Sequence, residues 1–156
     1  PGKPGLASAK HTSVLLDAVR RARADSDTVV VYLHWGVERQ QCPQVAATTL
    51  ARQLVAAGAD VVVGSHAHVL VGAGYLDGAY VDYGLGNFLF YAQGSGPATT
   101  SGVLTLTTRG HAVVAARWSP AVLHDGTTSP VTGSAAVAAI RARDALRGCA
   151  GLAAQP

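Results

Sequence analysis

A chain of 156 residues and 15.8 kDa falls in the single-domain range, long enough to bury roughly 68–70% of its unfolded surface. With 49% hydrophobic residues, 20 of them Val and 29 Ala, it carries enough apolar matter for one core, which excludes intrinsic disorder. The net charge of +3 comes from ten Arg and two Lys scattered among nine acids, densest at Arg20, Arg21 and Arg23, and with 6% aromatics it lacks the basic, aromatic-studded stripe of a nucleic-acid binder.

From Ala9 to Ala24 the apolar residues Val14, Leu15, Ala18, Val19 and Ala22 follow helical spacing, which predicts an amphipathic helix. Thr28 to Leu33 is a continuous β-branched run, predicting a strand covered on both faces that ends at His34-Trp35-Gly36. Pro43 suits the first turn of a second helix through Val45, Ala46, Leu50, Leu54 and Val55, closed by Gly58. A second buried strand, Asp60 to Gly64, completes a βαβ unit whose two strands should run parallel and end at one edge. Beyond His68, Asp77-Gly78 predicts a hairpin between Val69–Leu76 and Ala79–Leu85, and Arg109-Gly110 a second one between Val103–Thr108 and Ala112–Trp118. Residues 94–101 read as a mobile loop and 124–134 as an irregular connection, before a last helix from Ser134 to Arg147. The sum is one domain, an α/β unit with a mixed sheet.

Cys42 and Cys149 are too few and too far apart for a zinc knuckle; they are either one long-loop disulfide, implying export, or two buried thiols. No apolar run reaches the ~18 residues of a membrane span, and Pro1 to Lys10 lack the layout of a signal peptide. The chain contains no Met, so it reads as a processed or excised piece.

In α/β sheets ligands bind beyond the carboxyl ends of the parallel strands. Both predicted strands end in histidine there: His34 after the first, His66 and His68 after the second, with Gly64-Ser65 as a flexible entry. Three imidazoles on one edge suit Zn²⁺ or another first-row ion. A single His at a strand end is more often structural, and it is the convergence of three that favours metal. His11, His111 and His124 read as surface residues. Carboxylates are scarce near this edge: Glu38, the only Glu, and Asp82. A two-metal centre needs a bridging carboxylate, and this chain offers no obvious one. Asn87, between the turn-forming Gly86 and Phe88, and Trp35 are candidate substrate-binding residues, set against the commoner roles of turn Asn and packing aromatic. No motif of a nucleophilic serine, a phosphate loop or a dinucleotide fold is present.

Three segments in order, His34-Trp35-Gly36-Val37-Glu38, then residues 57–70 around Gly64-Ser65-His66-Ala67-His68, then Tyr83-Gly84-Leu85-Gly86-Asn87-Phe88-Leu89-Phe90, resemble the CapA/PgsA-like proteins of bacterial capsule and poly-γ-glutamate synthesis. The resemblance covers about residues 28–91. That family is similar to the calcineurin-like metallophosphoesterases, which implies a four-layer α/β/β/α sandwich with mixed sheets, of which this chain would be the C-terminal half. By the same resemblance His34 and His66 hold one divalent metal and His68 another (Mn, Zn or Fe), with Glu38 the candidate catalytic residue. Gly84, Ser65 and Ala67 stand where the family commonly has Ser, His and Pro; Ala67 makes the loop between the histidines less rigid. The segments that supply the family's Asp, bridging carboxylate and Asn ligands are not in this chain.

The resemblance therefore implies a two-metal hydrolase acting on a phosphoester or a γ-glutamyl amide, completed by an N-terminal half. That half would carry the export signal and membrane anchor, place the protein at the cell surface, and favour the Cys42–Cys149 disulfide. The ligand would be an anionic polymer such as poly-γ-glutamate, or a phosphoester. The rival reading is a non-catalytic assembly component of a membrane complex that makes capsule polymer.

Overall fold

The computed structural model describes residues 5–91 and 95–156. Helix α1 (Thr12–Asp25) lays Val19, Leu15, Leu16 and Ala22 on the core. It starts later than its apolar periodicity suggests, because Ser8 captures the backbone N–H groups of Lys10 and His11 in a turn. Strand β1 (Val30–Trp35), helix α2 (Val45–Ala56) and strand β2 (Val61–His66) form the expected parallel βαβ unit, in register from Val30 opposite Val61 to Trp35 opposite His66. Pro43 lies just before the helix, two residues ahead of Val45, and Gly58 follows Ala57 with φ +109, the left-handed exit that glycine accommodates.

Strands β3 (Ala73–Leu76) and β4 (Ala79–Asp82) form the hairpin across Asp77-Gly78, where both turn residues have positive φ as a type I′ turn requires. Strand β4 then pairs parallel with β2, giving a mixed sheet in the order β1-β2-β4-β3. A second, antiparallel sheet comprises β5 (Thr100–Arg109), β6 (Ala112–His124) and β7 (Thr127–Pro130). The α/β class stands; the residue pattern gave one mixed sheet and the resemblance two, and of the two sheets present the first is mixed and the second purely antiparallel.

Four local expectations are corrected. The turn between β5 and β6 is Gly110-His111, one residue later than predicted, because Arg109 pairs with Ala112. The connection over 124–134 holds a strand, β7, entered by the positive-φ pair Asp125-Gly126. In the stretch 94–101, residue 94 is outside the described residues, Pro97–Thr99 form a 3₁₀ turn, and Thr100 and Ser101 open β5. The last helix divides at Leu146 into α3 (Gly133–Ala145) and α4 (Arg147–Ala150).

The largest difference concerns β1. Val31 and Leu33 pack under α1 and α2, but Val30 and Tyr32 on the other face are 60% and 62% exposed. The second sheet covers the first through Val113, Leu104 and Leu106, which pack on Val61, Ala73, Tyr75 and Tyr80 and stop short of β1. A continuous apolar run is therefore covered on one side only among the described residues.

Two ties hold the parts of the fold together. A Cys42–Cys149 disulfide, Cα to Cα 5.6 Å, joins the loop after β1 to α4 and settles the open choice in favour of the bridge. Asp82 on β4 and Arg143 on α3 form an ion pair with side chains 0% and 5% exposed; the guanidinium lies 4.2 Å from the Trp118 ring centroid, and the second Asp82 oxygen accepts from Gly84 N–H at 3.1 Å. Burial pushes the Asp82 carboxyl up from its ordinary range, against the lowering pull of Arg143 and the Gly84 hydrogen bond.

Candidate functional site

Because β1 and β2 are parallel and in register, His34 lies opposite Ser65 and Trp35 opposite His66, so the two strands deliver their histidines to one edge. His34 Nε2 and His66 Nδ1 are 3.0 Å apart, with ring centroids at 4.8 Å; His68 follows at 6.3 Å from His66. Ser65 Oγ is 3.1 Å from His34 Nδ1 and so helps orient that ring. Gly64 serves this edge by its size: a Cβ there would fall 2.1 Å from Trp35 Nε1 and 2.3 Å from the Tyr83 carbonyl oxygen. It lies within β2, so its role is room for the close approach of Trp35 rather than the flexibility expected of it.

The backbone at this edge is strained. Among the described residues five non-glycine positions have positive φ: Asp77 and Asp125 belong to the tight turns, whereas Arg39 (+63), His66 (+104) and His68 (+57) all border the histidine edge. Left-handed residues with a Cβ cost of order 1–3 kcal/mol each and persist where the surroundings over-determine them. Here one constraint is visible: Arg39 N–H donates to the Ala67 carbonyl at 2.7 Å, tying the loop after β1 to the turn between His66 and His68.

Asn87 fixes the tautomer of His68. Its amide nitrogen donates to the carbonyls of His68 at 3.2 Å and Ala98 at 3.0 Å, so its oxygen must face His68 Nδ1, 2.7 Å away. An oxygen there accepts, hence His68 carries a proton on Nδ1, and in the neutral ring the lone pair is at Nε2. Asn87 is 6% exposed, and Ser101 Oγ donates to its backbone carbonyl. Both amide N–H donors and one oxygen lone pair are engaged within the protein, so Asn87 positions His68, a duty the sequence did not suggest.

Glu38 is exposed and shares an open depression of about 600 Å³ with Arg39, His68, Asn87, Phe90, Tyr91 and Ala98. Trp35 is elsewhere: its indole N–H donates to the Tyr83 carbonyl at 3.1 Å, and its ring stacks on Tyr83 at 5.6 Å in the core cluster. Burial pushes the Tyr83 phenol up, Arg52 pulling against it. Asp82, weighed from sequence as an acid near the edge, is spent on Arg143 and leaves the site. The sequence reading missed Arg39 and Phe90; Arg39 had no signal beyond adjacency to Glu38, and Phe90 stood in a quoted motif without a role. Phe90 lies 4.7 Å from the His68 ring and stacks on Tyr91 at 4.4 Å.

Among the described residues no group of three or more His, Cys, Asp or Glu is arranged to hold a metal ion. The donors present nevertheless suit part of one. His34 Nε2 and His66 Nδ1 lie 3.0 Å apart in a ring-to-ring hydrogen bond, near enough that one first-row ion ~2.1 Å from each nitrogen would take both in place of that bond. The donors at this edge are imidazole nitrogens, with no carboxylate of the described residues grouped among them.

A family model described as bacterial capsule synthesis protein PGA_cap matches residues 1–92, the part that holds all three histidines, Glu38 and Asn87. The chain is similar to PGA biosynthesis protein CapA of Bacillus subtilis (strain 168), 33% identical over 135 residues, covering 81% of this chain and 35% of that protein. It is likewise 33% identical over 134 residues to capsule biosynthesis protein CapA of Bacillus anthracis, covering 83% of this chain and 32% of that one. The chain thus spans about a third of the length of the curated relatives it matches.

Proposed function

This chain belongs to the bacterial capsule synthesis protein family PGA_cap, and from that premise we propose that its histidine edge is one half of a divalent-metal hydrolase centre acting in poly-γ-glutamate or capsule metabolism. The observation that carries the reading is the convergence of His34, His66 and His68, with nitrogens of the first two 3.0 Å apart and the third held through Nδ1 by Asn87, its Nε2 without a partner among the described residues. His34 and His66 would hold one ion and His68 a second. Metal ions there would lower the pKa of a bound water and polarise the scissile phosphoester or γ-glutamyl amide. Glu38, which lines the depression beside His68, would take up or return a proton.

Carboxylate ligands come in this reading from an N-terminal half of the protein, which also carries the export signal and membrane anchor. That half would cover the exposed face of β1, where Val30 and Tyr32 border an apolar groove with Val63, Phe88 and Val103. No helix among the described residues is long and apolar enough to cross a membrane.

The test is metal content of the full-length protein after dialysis with Mn²⁺ or Zn²⁺. About two ions per chain are expected, falling by at least one in His66→Ala and in His68→Ala. Unchanged stoichiometry in both variants removes the metal assignment; a metal-free wild type in which polymer production survives His66→Ala moves the protein to the rival role, assembly of the polymer-synthesising complex.

A further inference from the structure

We propose that the depression beside His68 is a specificity subsite for a group that carries one carboxylate next to an N–H donor, with Arg39 binding the carboxylate and the stacked Phe90–Tyr91 pair walling the rest. This rests on the reading above only in assuming that a ligand approaches this edge. It names what decides which ligand does.

Arg39 is an expensive place for an arginine. Its φ of +63 is a conformation that glycine or asparagine adopts more readily, and the backbone bond to Ala67 that holds it there needs no particular side chain. The guanidinium is exposed and makes no ion pair among the described residues, which is equally true of Arg21, Arg52, Arg109, Arg117 and Arg141; what sets Arg39 apart from those five is its place on the wall of the depression that His68 lines. A planar fork of donors left open beside an imidazole is a receptor for a carboxylate or phosphate.

Glu38 selects between those two. It lines the same depression as Arg39 yet forms no ion pair with it. Its carboxylate repels a phosphate dianion and accepts a hydrogen bond from an N–H group. A ligand with a single carboxylate and an adjacent amide N–H satisfies both side chains at once; a phosphomonoester satisfies one and offends the other. The stacked rings of Phe90 and Tyr91, 4.4 Å apart with Tyr91 80% exposed, give the methylene part of such a ligand an apolar surface.

The test is calorimetric titration of the full-length protein with three probes: a glutamate oligomer linked through the γ-carboxyls, an α-linked glutamate oligomer of equal length, and inorganic phosphate. Metal content is measured on the same samples. The γ-linked oligomer should bind tightest, and Arg39→Gln should weaken it about tenfold or more without changing metal content or the unfolding midpoint. Arg39→Lys should retain part of the affinity, which separates a lost charge from a damaged fold. Glu38→Gln should raise the affinity for phosphate. Binding of the γ-linked oligomer unchanged by Arg39→Gln, a wild type that prefers phosphate, or one that binds none of the three overturns the subsite. Arg39-dependent binding in a protein that holds no metal would sink the hydrolase reading while leaving the subsite standing.

Discussion

The two polar clusters of the first sheet use their bonding capacity in opposite ways. At Asp82 and Arg143 both charges are met inside the protein: carboxylate to guanidinium and to Gly84 N–H, guanidinium over the Trp118 face, both side chains removed from water. At the histidine edge the capacity is left open. His68 presents Nε2, Arg39 and Glu38 reach solvent, and the backbone accepts positive φ at three residues with side chains. Closed networks hold elements together; open, strained ones await a ligand. The first cluster should therefore govern stability and the second binding.

Arg143→Met tests the closed half with the largest expected effect. It leaves Asp82 buried without its partner, and breaking such a pair costs about 3–5 kcal/mol, read from urea unfolding of the parent protein. The pH response carries the same signature. Burial raises the native pKa of Asp82 above its unfolded value. Between those two values the native state holds a proton the unfolded chain has released, so stability falls as pH rises through that window. Losing Arg143 removes a lowering influence and extends the window upward; Asp82→Asn should abolish this part of the slope. A slope unchanged by Asp82→Asn would mean that another group sets it.

The Cys42–Cys149 bridge bears on the open edge, since it anchors the loop that carries Glu38 and Arg39 to α4. It closes a separation of 107 residues. Replacing both cysteines by serine should cost about 2–5 kcal/mol through the unfolded chain's regained freedom, seen as a lower unfolding temperature that reductant reproduces in the wild type. Metal content should hold, because the histidines are delivered by β1 and β2, whereas binding through Arg39 should weaken. Loss of metal in this variant would show that the loop, not the strands, positions the imidazoles.

What was legible in the sequence divides along the same line. The βαβ unit and its histidine edge could be read because β-branched runs and short connections fix parallel pairing, and parallel pairing fixes which ends meet. Two Asp-Gly pairs make type I′ turns, but only Asp77-Gly78 was readable: its flanks are apolar, whereas Asp125-Gly126 leads into Thr127-Thr128-Ser129-Pro130, a polar strand without alternation. The run Val29-Val30-Val31-Tyr32-Leu33 marked a strand but not which of its faces the rest of the chain covers, since that depends on where the second sheet stops. Asn87 was found but its duty was not, because only the geometry shows three partners consuming its amide. Asp82 counted as an acid near the edge in the sequence, but Arg143, 61 residues on, pairs with it.

The finest test concerns strain at the open edge, through one substitution made at two places. At Arg39, glycine removes a Cβ from a left-handed residue, a relief of about 1 kcal/mol, offset in part by the greater freedom glycine gives the unfolded chain. At Arg117, exposed on β6 with ordinary extended backbone, the same change brings only the second effect and should destabilise by roughly 0.5–1 kcal/mol. Arg39→Gly should accordingly leave stability level or raise it by several tenths of a kcal/mol while binding of the γ-linked oligomer falls, and Arg117→Gly should lower stability and leave binding alone. Opposite signs in the two columns would identify Arg39 as a residue kept for its ligand at a cost to the fold. Equal losses at both sites would show its left-handed turn to be unstrained, and the contrast between the two clusters would then rest on bonding capacity alone.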